Sequence, residues 1–114
     1  MGNETYTNGE VQRLTDMVTY QVGAVVSRAI LNRATGSVTL FAFDTGQELS
    51  EHTSPFDALV VVVEGVLSVA IAGASHQVGE GELLVLPANQ PHSVHSVGQS
   101  KMLLVMLRGQ DRHA

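Results

Sequence analysis

Residues 46–65 read GQELSEHTSPFDALVVVVEG, and the change of character half-way along decides how the rest of the chain is read. The first half is polar, with Glu48, Glu51 and His52. After Ser54 and Pro55 the chain turns apolar over residues 58–63 and stops at Glu64 and Gly65. Six apolar residues are far short of the roughly 18 that a membrane span needs. Four of them are valine, whose branched side chain favours a pleated strand. His52 therefore stands where a polar loop enters a greasy strand. An imidazole there can be a metal ligand, an acid–base group, or a polar side chain held by a hydrogen bond.

The same texture continues in both directions. AVVSRAIL (24–31) ends at a turn-rich NRATG, and SVTLFAF (37–43) ends at DTGQ. VLSVAIA (66–72) follows Gly65, a short HQV (76–78) follows Gly73, and LLVL, HSVHSV and KMLLVMLR complete the series. This spacing predicts about eight short strands without a long helix, the pattern of an all-β barrel or sandwich. VQRLTDMVTY (11–20) reads equally as a turn of helix or an edge segment. Alternation is poor in most strands: in SVTLFAF one parity holds Val38, Leu40 and Ala42, the other Thr39, Phe41 and Phe43. Strands apolar on both faces need cover on both. A second copy of the chain would supply it, and so would a layer made from the N-terminal segment.

Composition narrows the function classes. The 114 residues fit one domain. Charged residues make up 15%, against about 25% in an average domain, which again points to a covered surface and a homodimer. The net charge is −5, and the six Lys and Arg are scattered, so no basic stripe awaits nucleic acid. The absence of cysteine excludes disulfides, thiolate metal sites and cysteine nucleophiles. The polar start MGNETYTNGE lacks a basic-then-apolar signal, and with no membrane span the expectation is a cytoplasmic protein. Residues 1–10 read as a flexible tail, 11–110 as a single β-barrel domain, and 111–114 as a frayed end.

From Gly46 to the last strand the chain resembles the small single-domain cupins. The family's first motif is G-x5-H-x-H-x3,4-E-x6-G. Here Gly46, His52 and Gly65 keep their places, Ser54 stands at the second histidine and Ala58 at the glutamate. The second motif is G-x5-P-x-G-x2-H-x3-N. Gly81, Pro87 and His92 match it, with Asn89 at the glycine and Ser96 at the asparagine. The wording is similar to a bacterial monocupin subgroup of unknown function. The resemblance implies a cupin-type antiparallel β-barrel, that is, a jelly roll or double-stranded β-helix. It also implies that His52 and His92 face its interior at the positions of metal ligands.

Two of the four family ligands are thereby replaced. A catalytic ion normally takes three protein ligands, so a metal would need a substitute donor beside His52 and His92. Glu48 shares the parity of His52 and is the candidate, while Glu51, Asp57 and His95 should face outward. Zn, Ni, Fe and Mn all suit imidazole with oxygen. The expected ligand pocket holds His52, His92, Glu48, Ser54, Phe41 and Met102, with Phe43 and Met106 as further apolar wall. His76 reads as a surface strand residue and His113 as part of the tail. The function expected is small-molecule binding at a degenerate metal site. The alternative is a divalent-metal oxygenase or isomerase acting on a small polar substrate, and acid–base isomerisation by the histidine pair ranks third.

Overall fold

Period-two burial lays out the strands of the computed structural model, which describes residues 9–108. Most of the expected N-terminal tail, and the whole expected C-terminal fray with His113, lie outside the described residues. Nine strands run β1 (Val25–Arg33), β2 (Gly36–Phe43), β3 (Glu48–His52), β4 (Asp57–Glu64), β5 (Val66–Ile71), β6 (Ala74–Gly79), β7 (Leu83–Leu86), β8 (His92–Ser96) and β9 (Ser100–Leu107). They form two antiparallel sheets, a five-stranded one ordered β1-β2-β9-β4-β7 and a four-stranded one ordered β3-β8-β5-β6. This is the all-β antiparallel jelly-roll barrel that the motif spacing implied. The strand that goes beyond the expected eight is β3. Its sequence, ELSEH, is nearly all exposed and carries no apolar alternation to betray it.

Alternate residues of each strand turn inward and build the core between the sheets. Ala58, Val60 and Val62 from β4 meet Leu67 and Val69 from β5, Val94 from β8, and Phe43 and Met102 from β2 and β9. Burying side chains of this size is worth roughly 1.5–3 kcal/mol each, which is why the inner parity is so consistently apolar. The turn from β4 to β5 needs Gly65. Its φ is +78°, and a Cβ there would sit 2.5 Å from the Gln99 carbonyl oxygen.

The opposite parity of the larger sheet also finds cover over part of its area. Residues 14–16 form a single 3-10 turn rather than an edge strand. Beyond it Met17 and Val18 are buried against Leu40 and Ala42 of β2, with Tyr20, Val63 and Leu103 packed around them. Lys101 is buried under this strap, and its Nζ donates to the Thr15 carbonyl at 2.6 Å. The N-terminal layer is therefore real. Further along the same face Leu83, Val85 and Leu107 remain exposed, at 60%, 53% and 60%. Among the described residues no helix is long and apolar enough to cross a membrane.

Candidate functional site

One end of the barrel core opens into a cavity of about 390 Å³. Its walls are apolar and come from both sheets: Phe41 from β2, Leu49 from β3, Val60 from β4, Leu86 from β7, Val94 from β8, and Met102, Leu104 and Met106 from β9. The polar side chains that line it are His52, Ser50, Ser54 and His92. His52 ends β3 and His92 opens β8, and the two residues are register partners. That pairing across adjacent strands brings together imidazoles 40 positions apart in sequence.

The rings meet edge to face, with centroids 4.4 Å apart and planes at 71°. Their Nε2 atoms are 3.1 Å apart. His52 Nδ1 lies 2.9 Å from the Ser50 carbonyl oxygen, and His92 Nδ1 lies 3.2 Å from that of Gln90. A carbonyl oxygen only accepts, so a neutral ring donates either from Nδ1 to its carbonyl or from Nε2 to the other ring, and it cannot do both. The Nε2 pair is itself at hydrogen-bond distance, with one ring donating and the other accepting. His92 is buried, whereas His52 stands at the mouth. Burial lowers the pKa of His92 from its ordinary 6.5; the bond to Gln90 opposes the shift, and the charge of a protonated His52 would add to it.

Loop-to-loop bonds hold the mouth open in one shape. The Asn89 N–H donates to the Ser54 carbonyl at 2.7 Å, and the Ala88 N–H donates to Asp57 Oδ1 at 2.8 Å. Asn89 takes φ +66°, the left-handed region that asparagine tolerates better than other side-chain-bearing residues. That explains why it can occupy the motif's glycine position.

The expected site residues part company here. His52, His92, Ser54, Phe41 and Met102 line one cavity together with Met106. Phe43 is fully buried in the core. Glu48 is not among the lining residues. It lies outside with its side chain 66% exposed, 3.6 Å from His95 Nδ1. The reason is a register shift in β3 between Leu49 and His52, which breaks the parity that Glu48 would share with His52. Ser96 lies away from the histidines as well, its backbone pairing with Gly46 and Gln47 and its hydroxyl with the Gly98 carbonyl. The carbonyls of Ser50 and Gln90, which face the two Nδ1 atoms, have no sequence signal at all.

Comparison with known proteins supplies the family. The cupin domain family matches residues 39–108. The chain belongs to the cupins. A conserved protein of unknown function from Streptococcus pyogenes is 32% identical, over 96% of this cupin and 95% of that chain, with a TM-score of 0.88. A cupin 2 conserved barrel domain protein from Leptotrichia buccalis is 36% identical over 82% of this chain and 45% of its own, with a TM-score of 0.79. A cupin superfamily protein from Desulfitobacterium hafniense shares the fold at 21% identity, covering 95% and 97% of the two chains, with a TM-score of 0.86. Comparison with curated proteins returns no match.

Cupins commonly hold a divalent metal, and the donors of this one fall short of that role. Ala58, at the family's glutamate position, does line the cavity but offers no donor, and Ser54 replaces an imidazole. Among the described residues no three His, Asp or Glu side chains converge. Two imidazole nitrogens are half the family's clasp and fall short of the three ligands a catalytic ion takes. The family's metal centre does not fit the residues present.

Proposed function

We propose that this cupin binds a small organic molecule in the cavity between its sheets, with His52 and His92 as the polar anchor at the mouth. The observation that carries the reading is a largely apolar cavity, within the size range of ligand pockets, in which polar groups converge at one end. The missing carboxylate weighs against the alternative, a metal-dependent oxygenase or isomerase acting on a polar substrate. A homodimer belongs to the same reading. The uncovered part of the larger sheet carries Leu59, Val85, Val105 and Leu107 around a depression of about 350 Å³, with Asp57 at its edge accepting from the Ala88 N–H. A second copy suits it, because a two-fold interface presents the same patch twice and a patch centred on neutral side chains does not repel itself.

The test pairs elemental analysis with thermal denaturation. Protein purified without added metal should hold well under roughly a tenth of an equivalent of any divalent ion. Small apolar ligands should raise its melting temperature, and a chelator should leave that rise intact. Ser54→His/Ala58→Glu, which rebuilds the family's donor set, serves as the metal-binding control. Close to one equivalent of metal per wild-type chain, lost in His52→Ala and in His92→Ala, would overturn the metal-free reading.

A further inference from the structure

The histidine pair marks the polar end of the cavity, but its four nitrogens are already engaged. The two Nδ1 atoms face the Ser50 and Gln90 carbonyls, and the two Nε2 atoms bond to each other. A ligand that bonds to this pair displaces a contact already made, so the net gain is small. No Lys, Arg, Asp or Glu side chain lines the cavity. An ionised ligand group would lose its water there and find no partner charge. Choice among ligands therefore falls to the walls.

Those walls are not uniform. Strands β2 and β9 bring one aromatic ring and two thioethers to the cavity, Phe41, Met102 and Met106. Phe41 and Met102 are register partners, so they stand side by side on one wall. Fully buried Phe43 backs the Phe41 ring, with centroids 6.2 Å apart and planes at 31°, and holds it in place. Met106 has the same inward parity as Met102 and pairs with Ala58 of β4, which is too small to fill the space beside it. A saturated body gains only the burial of apolar surface from such a wall. An aromatic ring gains more, because thioether sulfur is favoured beside a ring and a second ring is favoured offset or edge-on to Phe41. Size sets the other limit. An apolar cavity of about 150 Å³ takes one benzene, so about 390 Å³ suits one or two rings with a short substituent.

Resting on the binding function proposed above, we infer that the ligand class is an uncharged aromatic compound of one or two rings, its ring held among Phe41, Met102 and Met106 and any polar substituent turned to the mouth.

Three probes with a common chain separate this inference from the binding reading: 3-phenylpropan-1-ol, 3-cyclohexylpropan-1-ol and 3-phenylpropanoate. Binding is measured by calorimetry at pH 8, where an ordinary imidazole is neutral, with a chelator present. The two alcohols are compared after each affinity is divided by that alcohol's partition from water into hexane, which removes their difference in hydrophobicity. The phenyl alcohol should then bind about fivefold more tightly than the cyclohexyl one, the size of one or two ring–sulfur contacts. The carboxylate should bind at least about tenfold more weakly than the phenyl alcohol. Met102→Leu/Met106→Leu keeps the volume and apolar character of the wall, and the phenyl preference should fall there to about twofold or less. A second readout needs no variant. In the wild-type protein the methyl resonances of Met102 and Met106 should shift under the ring current of the phenyl alcohol and move far less with the cyclohexyl one. That of Met17, which packs on the opposite face of β2, should stay in place with both. Equal corrected affinities, a carboxylate that binds as well as the phenyl alcohol, or a preference unchanged in the double variant would overturn the inference and leave the cavity reading standing. Failure of both alcohols to bind, or binding that leaves Met102 and Met106 unmoved, would overturn both.

Discussion

At the scale of single residues, His92 couples the site to pH. Its folded-state pKa lies below the ordinary 6.5, chiefly because burial disfavours the charged ring. In the window between those two values the unfolded chain holds a proton that the folded protein does not. Stability from this group is therefore complete above about pH 6.5 and is lost as pH falls through the window to the folded value. Urea unfolding at pH 8 and pH 5 should show a loss of stability on acidification that is smaller in His92→Gln. An equal loss in both proteins would exclude His92 as its source. The histidines themselves were legible in the sequence through its resemblance to the two cupin motifs, in which His52 and His92 keep the places of metal ligands. The direct contact between the two rings was not, since nothing in the sequence reports the register that pairs the end of β3 with the start of β8. Glu48 shows the limit of parity arguments. Two residues on a regular strand share a face only if no bulge lies between them, and β3 carries one between Leu49 and His52.

At the scale of elements, the N-terminal strap shows what hydrophobic patterning leaves undecided. Residues 11–20 hold apolar side chains at spacings that suit a helix, yet one 3-10 turn is all that forms. The segment is too short for helix propensity to decide its conformation. What fixes it is the sheet beneath, including Lys101, whose ammonium lies 4.0 Å from Glu64 Oε1 and 4.8 Å from the centre of the Tyr20 ring. The Tyr20 hydroxyl donates to Glu64 Oε2 at 2.6 Å. Burial first, and then that bond, push the Tyr20 pKa far above its ordinary value, so the phenol stays a donor at any working pH. Tyr20→Phe should cost about 1 kcal/mol in urea unfolding, the worth of one hydrogen bond to a charged, part-exposed acceptor. Lys101→Met should cost more, about 2 kcal/mol, because it takes the donor from the Thr15 carbonyl and the cation from beside the Glu64 carboxylate. A Lys101→Met variant as stable as wild type would mean that packing of Met17 and Val18 alone holds the strap. The strap thus accounts for part of the greasy double-sidedness of β2 and β9, and the dimer proposed above would account for the rest.

At the scale of the whole molecule, the proposed dimer rests on the uncovered end of the larger sheet. The strap covers Leu40, Ala42 and Leu103, but Leu83 and Val85 on the edge strand β7 and Leu107 at the end of β9 stay more than half exposed. Single exposed apolar residues are ordinary; a contiguous set on a flat sheet is the mark of an interface. Dimer formation would bury that set and leave the cavity to small molecules. Sedimentation equilibrium should give about twice the chain mass of 12.1 kDa. Val85→Lys should return it to one chain mass, because the two-fold axis would place a buried, unpaired ammonium on each subunit. Val97→Lys is the matched control: it alters an equally apolar residue, 66% exposed, that precedes the opposite end of β9. That variant should remain a dimer. A wild-type protein of single chain mass would remove the dimer from the reading. A dimer that survives Val85→Lys would move the interface to another face and leave the β7 patch as bare apolar surface. Should the dimer form as expected, Val85→Lys provides a monomer in which ligand binding can be measured again. Unchanged affinity there would mean that one chain supplies the whole cavity, and a loss would place partner residues at its mouth, since Ala58 borders both the cavity and the patch.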